Sequence, residues 1–262
     1  MLYKHQKALG QNFLINKAIA AKIVAAGEVE KTDLVLEVGP GKGALTDFLI
    51  AASGRVMAVE KDIRLANGLR EKYNNQPNVE IIQDDILKFK PTYYLLLTTN
   101  YKLISNLPYS ITSPFLSKFF ISGKIEKPKL AVLMVQKEVA KRLTSLPGEK
   151  NRGVLTVLLQ SCCQVDYLFT VGRENFQPQP KVDSAVIKIA PRKINLEPSF
   201  IAVVKAGFSA KRRKLANSLA GGLGITKASA IAIVQQSGLS VNVRAEDLTT
   251  EEWQEVWYNI TK

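Results

Sequence analysis

Histidine and cysteine are almost missing from this chain of 262 residues, which holds one histidine, His5, and two adjacent cysteines, Cys162 and Cys163. One histidine leaves little room for a histidine-based triad and none for a multi-histidine metal site. Two neighbouring cysteines make neither a disulfide framework nor a zinc ribbon, so they read as small buried thiols and no metal is expected. No apolar run approaches the roughly 18 to 20 residues of a membrane helix, and the opening Met1-Leu2-Tyr3-Lys4-His5-Gln6-Lys7 lacks a signal-peptide core. The expectation is a soluble, cytoplasmic protein with no membrane partner. With 46% hydrophobic residues the chain has enough apolar material for a packed core plus an accessory domain.

Acidic residues are also in short supply, 23 against 36 Lys and Arg, for a formal charge of +13. The excess is uneven. Residues 1–90 carry 13 basic and 11 acidic side chains, residues 91–190 carry 13 and 6, and residues 191–262 carry 10 and 6. A polyanionic partner would account for this, because cations set against phosphates release condensed counterions. A merely soluble basic surface would do so as well.

A helix is expected from Asn16 to Ala26, stopped by Gly27. Leu34–Val38, Arg55–Glu60 and Val79–Gln83 read as strands, alternating with helices over Ala44–Ala52 and Ile63–Tyr73. This βα rhythm implies a parallel sheet. Strands at Tyr101–Ser105 and Leu130–Val135 continue it, with helices at Ser113–Ile121 and Lys137–Leu143. Val154–Cys163 is apolar without a decisive period. Val165–Val171 and Ser184–Ile189 suggest an antiparallel hairpin closing the sheet. Beyond Pro191 the pattern turns helical, over Phe200–Leu219, Lys227–Ser237 and Glu251–Ile260, the last preceded by the capping-box pair Thr249 and Glu252. The fold class is therefore α/β, a Rossmann-like, mostly parallel sheet over residues 1–191 with a small all-α domain at 192–262.

Glu37-Val38-Gly39-Pro40-Gly41-Lys42-Gly43 leaves the first long strand as a glycine turn suited to close approach by a nucleotide-like ligand. Gly39, Gly41 and Ala44 also fit the dinucleotide pattern, with Glu60 where a ribose-binding acid belongs. The neighbouring strand ends distinguish the two. Glu37, Glu60, Asp85 and Asn106 converge at the carboxyl edge of the sheet, an acidic setting that suits a cationic sulfonium nucleoside better than a pyrophosphate. S-adenosylmethionine is favoured over NAD.

Asn106-Leu107-Pro108-Tyr109 follows the fourth strand of the series. The exocyclic amine of a base is a poor nucleophile because its lone pair is delocalised into the ring. Two carbonyl acceptors, the Asn106 side chain and the Leu107 backbone, would draw its N–H groups aside and aim the lone pair at a methyl donor. Pro108 stiffens the turn, and Tyr109 offers a ring face for stacking and for the positive charge growing on nitrogen. No general base is needed for that step.

These motifs together with Gly10-Gln11-Asn12-Phe13-Leu14, Val59-Glu60-Lys61-Asp62, Gln83-Asp84-Asp85 and Phe176-Gln177-Pro178-Gln179-Pro180-Lys181-Val182-Asp183-Ser184 occur in the order seen in the ribosomal RNA adenine N6-dimethyltransferase family. The chain resembles its bacterial small-subunit branch over residues 5 to about 220. The resemblance implies a class I S-adenosylmethionine methyltransferase sheet and S-adenosylhomocysteine as product. The implied reaction dimethylates two adjacent adenosines in the 3′-terminal hairpin of small-subunit rRNA, within an assembling subunit. It also implies roles: Asn12 and Leu14 close over the cofactor, Gly39 passes under its methionine portion, Glu60 holds the ribose and Asp85 the adenine amine. Asn106 serves both cofactor and target, and Phe176 presses the flipped adenine against Tyr109. Arg152 and Ser161-Cys162 stand where the family commonly has aromatics, at positions that read as structural.

Lys211-Arg212-Arg213-Lys214 falls in an expected helix anchored by Phe208 and Leu215. With Lys137, Lys141 and Arg142 it could track phosphates; otherwise it is a solvated face. A macrolide-resistance-type large-subunit rRNA methyltransferase, a NAD-dependent oxidoreductase and a noncatalytic RNA-binding assembly factor are the competing readings. A monomer is the default state.

Overall fold

The structure, a computed structural model, describes residues 12–89, 101–210 and 212–262. Gly10, Gln11 and Lys211 of the expected motifs lie outside the described residues. By contacts the chain divides into two compact units, one of residues up to Ala140 together with Val165–Pro191, the other of Lys141–Gln164 and Arg192–Lys262. The second unit thus takes in a stretch upstream of the expected 191/192 boundary.

The first unit begins with β1 (Phe13–Leu14) and α1 (Lys17–Ala26). Asn16 caps α1, its side chain accepting from the N–H groups of Ala18 and Ile19, and Gly27 ends it. Then come β2 (Leu34–Val38), α2 (Thr46–Ala52), β3 (Arg55–Glu60), α3 (Ile63–Lys72), β4 (Val79–Gln83) and β5 (Tyr101–Asn106). After β5 lie α4 (Thr112–Leu116), a π-helical turn (Ser117–Ile121), β6 (Leu130–Gln136) and α5 (Lys137–Leu143). The strands β7 (Cys163–Val171), β8 (Phe176–Gln177) and β9 (Ser184–Pro191) complete the sheet region.

Seven strands form one sheet in the order β4-β3-β2-β5-β6-β9-β7. The pairs from β4 to β6 are parallel and β9 runs antiparallel to β6. The late pair therefore closes the sheet as anticipated, with β9 inserted between β6 and β7. All of β2 and nearly all of β5 and β6 are buried, which is why their sequences show no strict apolar-polar alternation; the buried polar exceptions are Glu37, Lys102 and Ser105. The order reverses beside β2, so the crevice at the carboxyl ends of β2 and β5 is where an open α/β sheet takes its ligand.

In the second unit, Val154–Cys162 is a helix, α6, which settles the stretch left open by its period. Ser161 spends its hydroxyl on the Val157 carbonyl one turn back, and Cys162 and Cys163 are buried thiols not joined in a disulfide. Arg152 is buried and donates to the Ser145 carbonyl and to Gln160 Oε1. The expected helix over Phe200–Leu219 is instead two, α7 (Pro198–Gly207) and α8 (Leu215–Leu223). The chain turns at Phe208, Arg212 takes the left-handed conformation (φ 64°), and the Leu215 N–H is drawn to the Val243 carbonyl. Arg212, Arg213 and Lys214 of the basic run sit in this turn, not in a helix. Helices α9 (Lys227–Gln236) and α10 (Thr250–Thr261) follow, α10 with both bonds of its Thr249–Glu252 capping box. Fully buried Trp253 stacks on Phe208, ring centroids 5.7 Å apart.

Candidate active site

The glycine turn is built by three left-handed residues, Gly39 (φ 64°), Gly41 (φ 62°) and Gly43 (φ 84°), a backbone that a side chain would strain. A Cβ at Gly39 would project into the gap facing the Pro108 ring, 3.5 Å away. At Gly41 a Cβ would lie 2.9 Å from the Phe13 ring, so the N-terminal arm rests directly on the turn. Beneath Gly43, the Tyr73 hydroxyl bonds Asp47 (2.7 Å) and the Gly43 carbonyl (3.3 Å), bracing the turn from α3.

Between this turn and the end of β5 lies a cavity of about 310 Å³. Its lining includes Asn12, Leu14, Gly39, Glu60, Asp85 and the whole of Asn106-Leu107-Pro108-Tyr109, so nine of the ten residues expected at the cofactor and target sites share one space. The size is right for a nucleoside-scale ligand. Among the described residues no cluster of His, Cys, Asp and Glu could hold a metal.

Glu60, 6% exposed, accepts from the Gly41 N–H (3.1 Å) and the Asp62 N–H (2.9 Å), which fixes its carboxylate; burial raises its pKa. Glu37 is 1% exposed and accepts the Thr46 hydroxyl at 2.7 Å; burial pushes it up to about 8. Asp85 is the opposite case. Its ion pair with Lys61 (2.8 Å) and a bond from the Leu87 N–H hold its carboxyl below the ordinary value. Besides Glu37, which keeps its proton at neutral pH, the lining thus carries Glu60, Asp62, Asp84 and Asp85 against Lys42 and Lys61. That donor set fits S-adenosylmethionine: carboxylates for ribose hydroxyls and an adenine amine, and a negative field for a sulfonium and an ammonium.

The Asn106 amide nitrogen donates to the Asn12 carbonyl (3.5 Å), leaving the side-chain oxygen as the acceptor. The Leu107 N–H is taken by Met134 on β6, which ties the turn to the sheet. Tyr109 is half-buried, its hydroxyl 2.6 Å from Ser184 Oγ, and burial raises its pKa. Phe176 is the exception among the expected residues. It is 3% exposed, packs in the core with Leu14, and is not part of the cavity lining. It pairs with Leu14 across β1–β8, with Ile15 N–H and Asn16 Nδ2 both bonded to Asn175 alongside. The arm and Phe176 therefore share one small sheet.

Residue patterns did not single out Lys61, Ser184 or Phe13 as partners of Asp85, Tyr109 and Gly41, although all three lie inside the quoted motifs. In the second unit Arg212, Arg213 and Lys214 are exposed on the turn between α7 and α8.

A family model for ribosomal RNA adenine dimethylase matches residues 2–262. A ribosomal RNA small subunit methyltransferase A of Dehalococcoides mccartyi is 42% identical over 253 residues, covering 95% of this chain and 86% of the relative. One from Fusobacterium nucleatum is 39% identical over 267 residues, covering 98% and 97%. Among solved structures, a dimethyladenosine transferase from Plasmodium falciparum shares the fold, with a TM-score of 0.79 at 24% identity over 93% of this chain and 95% of that one. The 23S rRNA methyltransferase ErmE gives 0.74 at 26% identity, covering 96% and 100%. A match over essentially the whole chain agrees with what the acidic cavity and the Asn-Leu-Pro-Tyr turn had pointed to, and the chain belongs to the ribosomal RNA adenine dimethylase family.

Proposed function

We propose that this S-adenosylmethionine-dependent rRNA adenine dimethyltransferase acts on two adjacent adenosines in the 3′-terminal hairpin of small-subunit rRNA, as a cytoplasmic monomer working on an assembling subunit. The observation that carries the catalytic part is the single cavity in which Glu60 and Asp85 face Asn106–Tyr109. The preference for the small subunit is supported by relatives near 40% identity that bear that name, against 26% for the 23S enzyme.

Glu60, anchored by two backbone N–H groups, would accept the ribose hydroxyls, and Asp85 the adenine amine. Asn12 and Leu14 would cover the cofactor and Gly39 would let its methionine portion pass. When bound, the cofactor supplies a methyl group on a cationic sulfur. Asn106 Oδ1 and the Leu107 carbonyl would hold the target amine's N–H groups, turning its lone pair toward that methyl. The Tyr109 ring, fixed by Ser184, would carry one face of the extruded base. Phe176 would reach the other face only by leaving the core. In the second unit Arg212, Arg213 and Lys214, with Lys211, would take RNA phosphates.

The test is to incubate the protein with labelled S-adenosylmethionine and either undermethylated small subunits or large-subunit RNA, and map the label. Label on the paired small-subunit adenosines is expected. Label confined to large-subunit RNA would transfer the chain to the macrolide-resistance branch.

A further inference from the structure

Lys118 lies in the π-helical turn that follows α4, the helix leading directly out of the Tyr109–Ile111 turn. Its side chain is half-buried, and its ammonium donates to three backbone carbonyls of one short segment: Ile86 (2.9 Å), Leu87 (2.9 Å) and Phe89 (2.6 Å). An ammonium has three N–H donors, and three carbonyls take them here, with the Asp84 and Asp85 carboxylates near enough to favour the charge. The segment it grips begins at Asp85. The Asp85 carbonyl accepts from the N–H groups of Lys88 and Phe89, and its side chain accepts from Leu87, so Asp85 to Phe89 is one closed turn with Lys118 across its far side. Asp85 and Ile86 line the cavity at one wall, and Tyr109 to Ile111 line it at another.

From this geometry we infer that Lys118 is a positioning residue for cofactor recognition: by clamping the Asp85–Phe89 turn onto the helix that carries the target-side turn, it sets the Asp85 carboxylate at the distance at which it reads the adenine amine. A surface lysine would have no reason to surrender its hydration for three carbonyls. Here the charge-assisted bonds replace that hydration and add a tie from the α4 side to a turn otherwise held by its continuity with β4 and by the Lys61–Asp85 ion pair. The inference rests on Asp85 being the acceptor for the adenine amine, and the experiment separates the two.

Two product-like probes are compared by calorimetry, S-adenosylhomocysteine and S-inosylhomocysteine, the latter carrying a carbonyl oxygen where the amine stood. The wild-type protein should prefer the adenine form, because a carboxylate facing an oxygen loses its bond. K118M should reduce that preference about tenfold while changing affinity for the inosine form less than about threefold, as expected when one hydrogen-bonded discrimination is loosened. K118R, which keeps charge and donors, should restore most of it. Should K118M fail to fold, K118Q, retaining two N–H donors, carries the same comparison. Equal weakening of both probes would show a general structural role and overturn the inference, as would an unchanged preference. D85N is the control for the underlying reading: if it leaves the preference intact with Lys118 present, the assignment of Asp85 fails, and that outcome is distinct from failure of Lys118 alone.

Discussion

Replacing Glu37 with Gln should remove a specific slope from the pH dependence of stability. Glu37 is 1% exposed near the end of β2, among the described residues its hydrogen-bond donor is the Thr46 hydroxyl, Glu60 and Asp47 add negative potential, and Lys72 opposes them weakly. A carboxyl with an ordinary value of 4.5 that is held at about 8 in the folded chain binds its proton more tightly folded than unfolded. The sign follows: folding is unpenalised below 4.5, loses stability as pH rises from 4.5 through 8, and levels off above. At about 1.4 kcal/mol per tenfold, that interval amounts to about 5 kcal/mol as an upper bound, a large share of the roughly 5–15 kcal/mol that holds a domain together. Glutamine keeps the shape and a partner for Thr46 but cannot ionise. Urea unfolding of both proteins between pH 5 and 9 should show E37Q gaining on the wild type by about 1 kcal/mol per pH unit across the middle of the window. Saturating S-adenosylmethionine should flatten the wild-type slope, because its cationic groups favour the Glu37 carboxylate. A stability difference that stays constant from pH 5 to 9 would refute the reasoning.

Tyr109→Phe removes the bond to Ser184 and should cost less in turnover than Tyr109→Ala, which removes the stacking face; single-turnover rates in the reverse order would undercut the stacking role. Ser184→Ala should mimic Tyr109→Phe, by about 1 kcal/mol or less, since it breaks the same hydrogen bond. Gly41→Ala forces a side chain into a left-handed residue and against Phe13, and should lower stability by about 1–3 kcal/mol and weaken cofactor binding, read by thermal unfolding and calorimetry. Arg212→Ala with Arg213→Ala should weaken RNA binding and reduce the dependence of log affinity on log salt by about two; an unchanged slope would remove these residues from the phosphate contacts.

Most of the sheet could be read from the chain because it is parallel and doubly covered. Such strands announce themselves as short apolar runs ending in glycine or acid, and Leu34–Val38, Arg55–Glu60 and Val79–Gln83 have the observed bounds. The site was legible for the same reason, since its residues stand where strands end. Long-range partnerships were not. Lys118 looks like an ordinary helix cation, and nothing local says that three carbonyls some thirty residues upstream await it. The break between α7 and α8 escaped the periodicity because Phe208 and Leu215 keep the helical spacing across a turn whose cause, the tie of Leu215 to Val243, comes from far along the chain. Phe176 shows the limit from the other side. Its type and motif suit a base-stacking role, yet the pairing of β1 with β8 buries it beside Leu14.

In the proposed mechanism carbonyl acceptors at Asn106 and Leu107 aim the target amine, with no general base required. Mass spectrometry of small-subunit rRNA after reaction with Asn106→Ala tests it most directly. N6-dimethyladenosine is expected at both adjacent positions with the wild type, and none with the variant even though RNA binding is retained. Dimethylation by the variant at a rate near that of the wild type would contradict it.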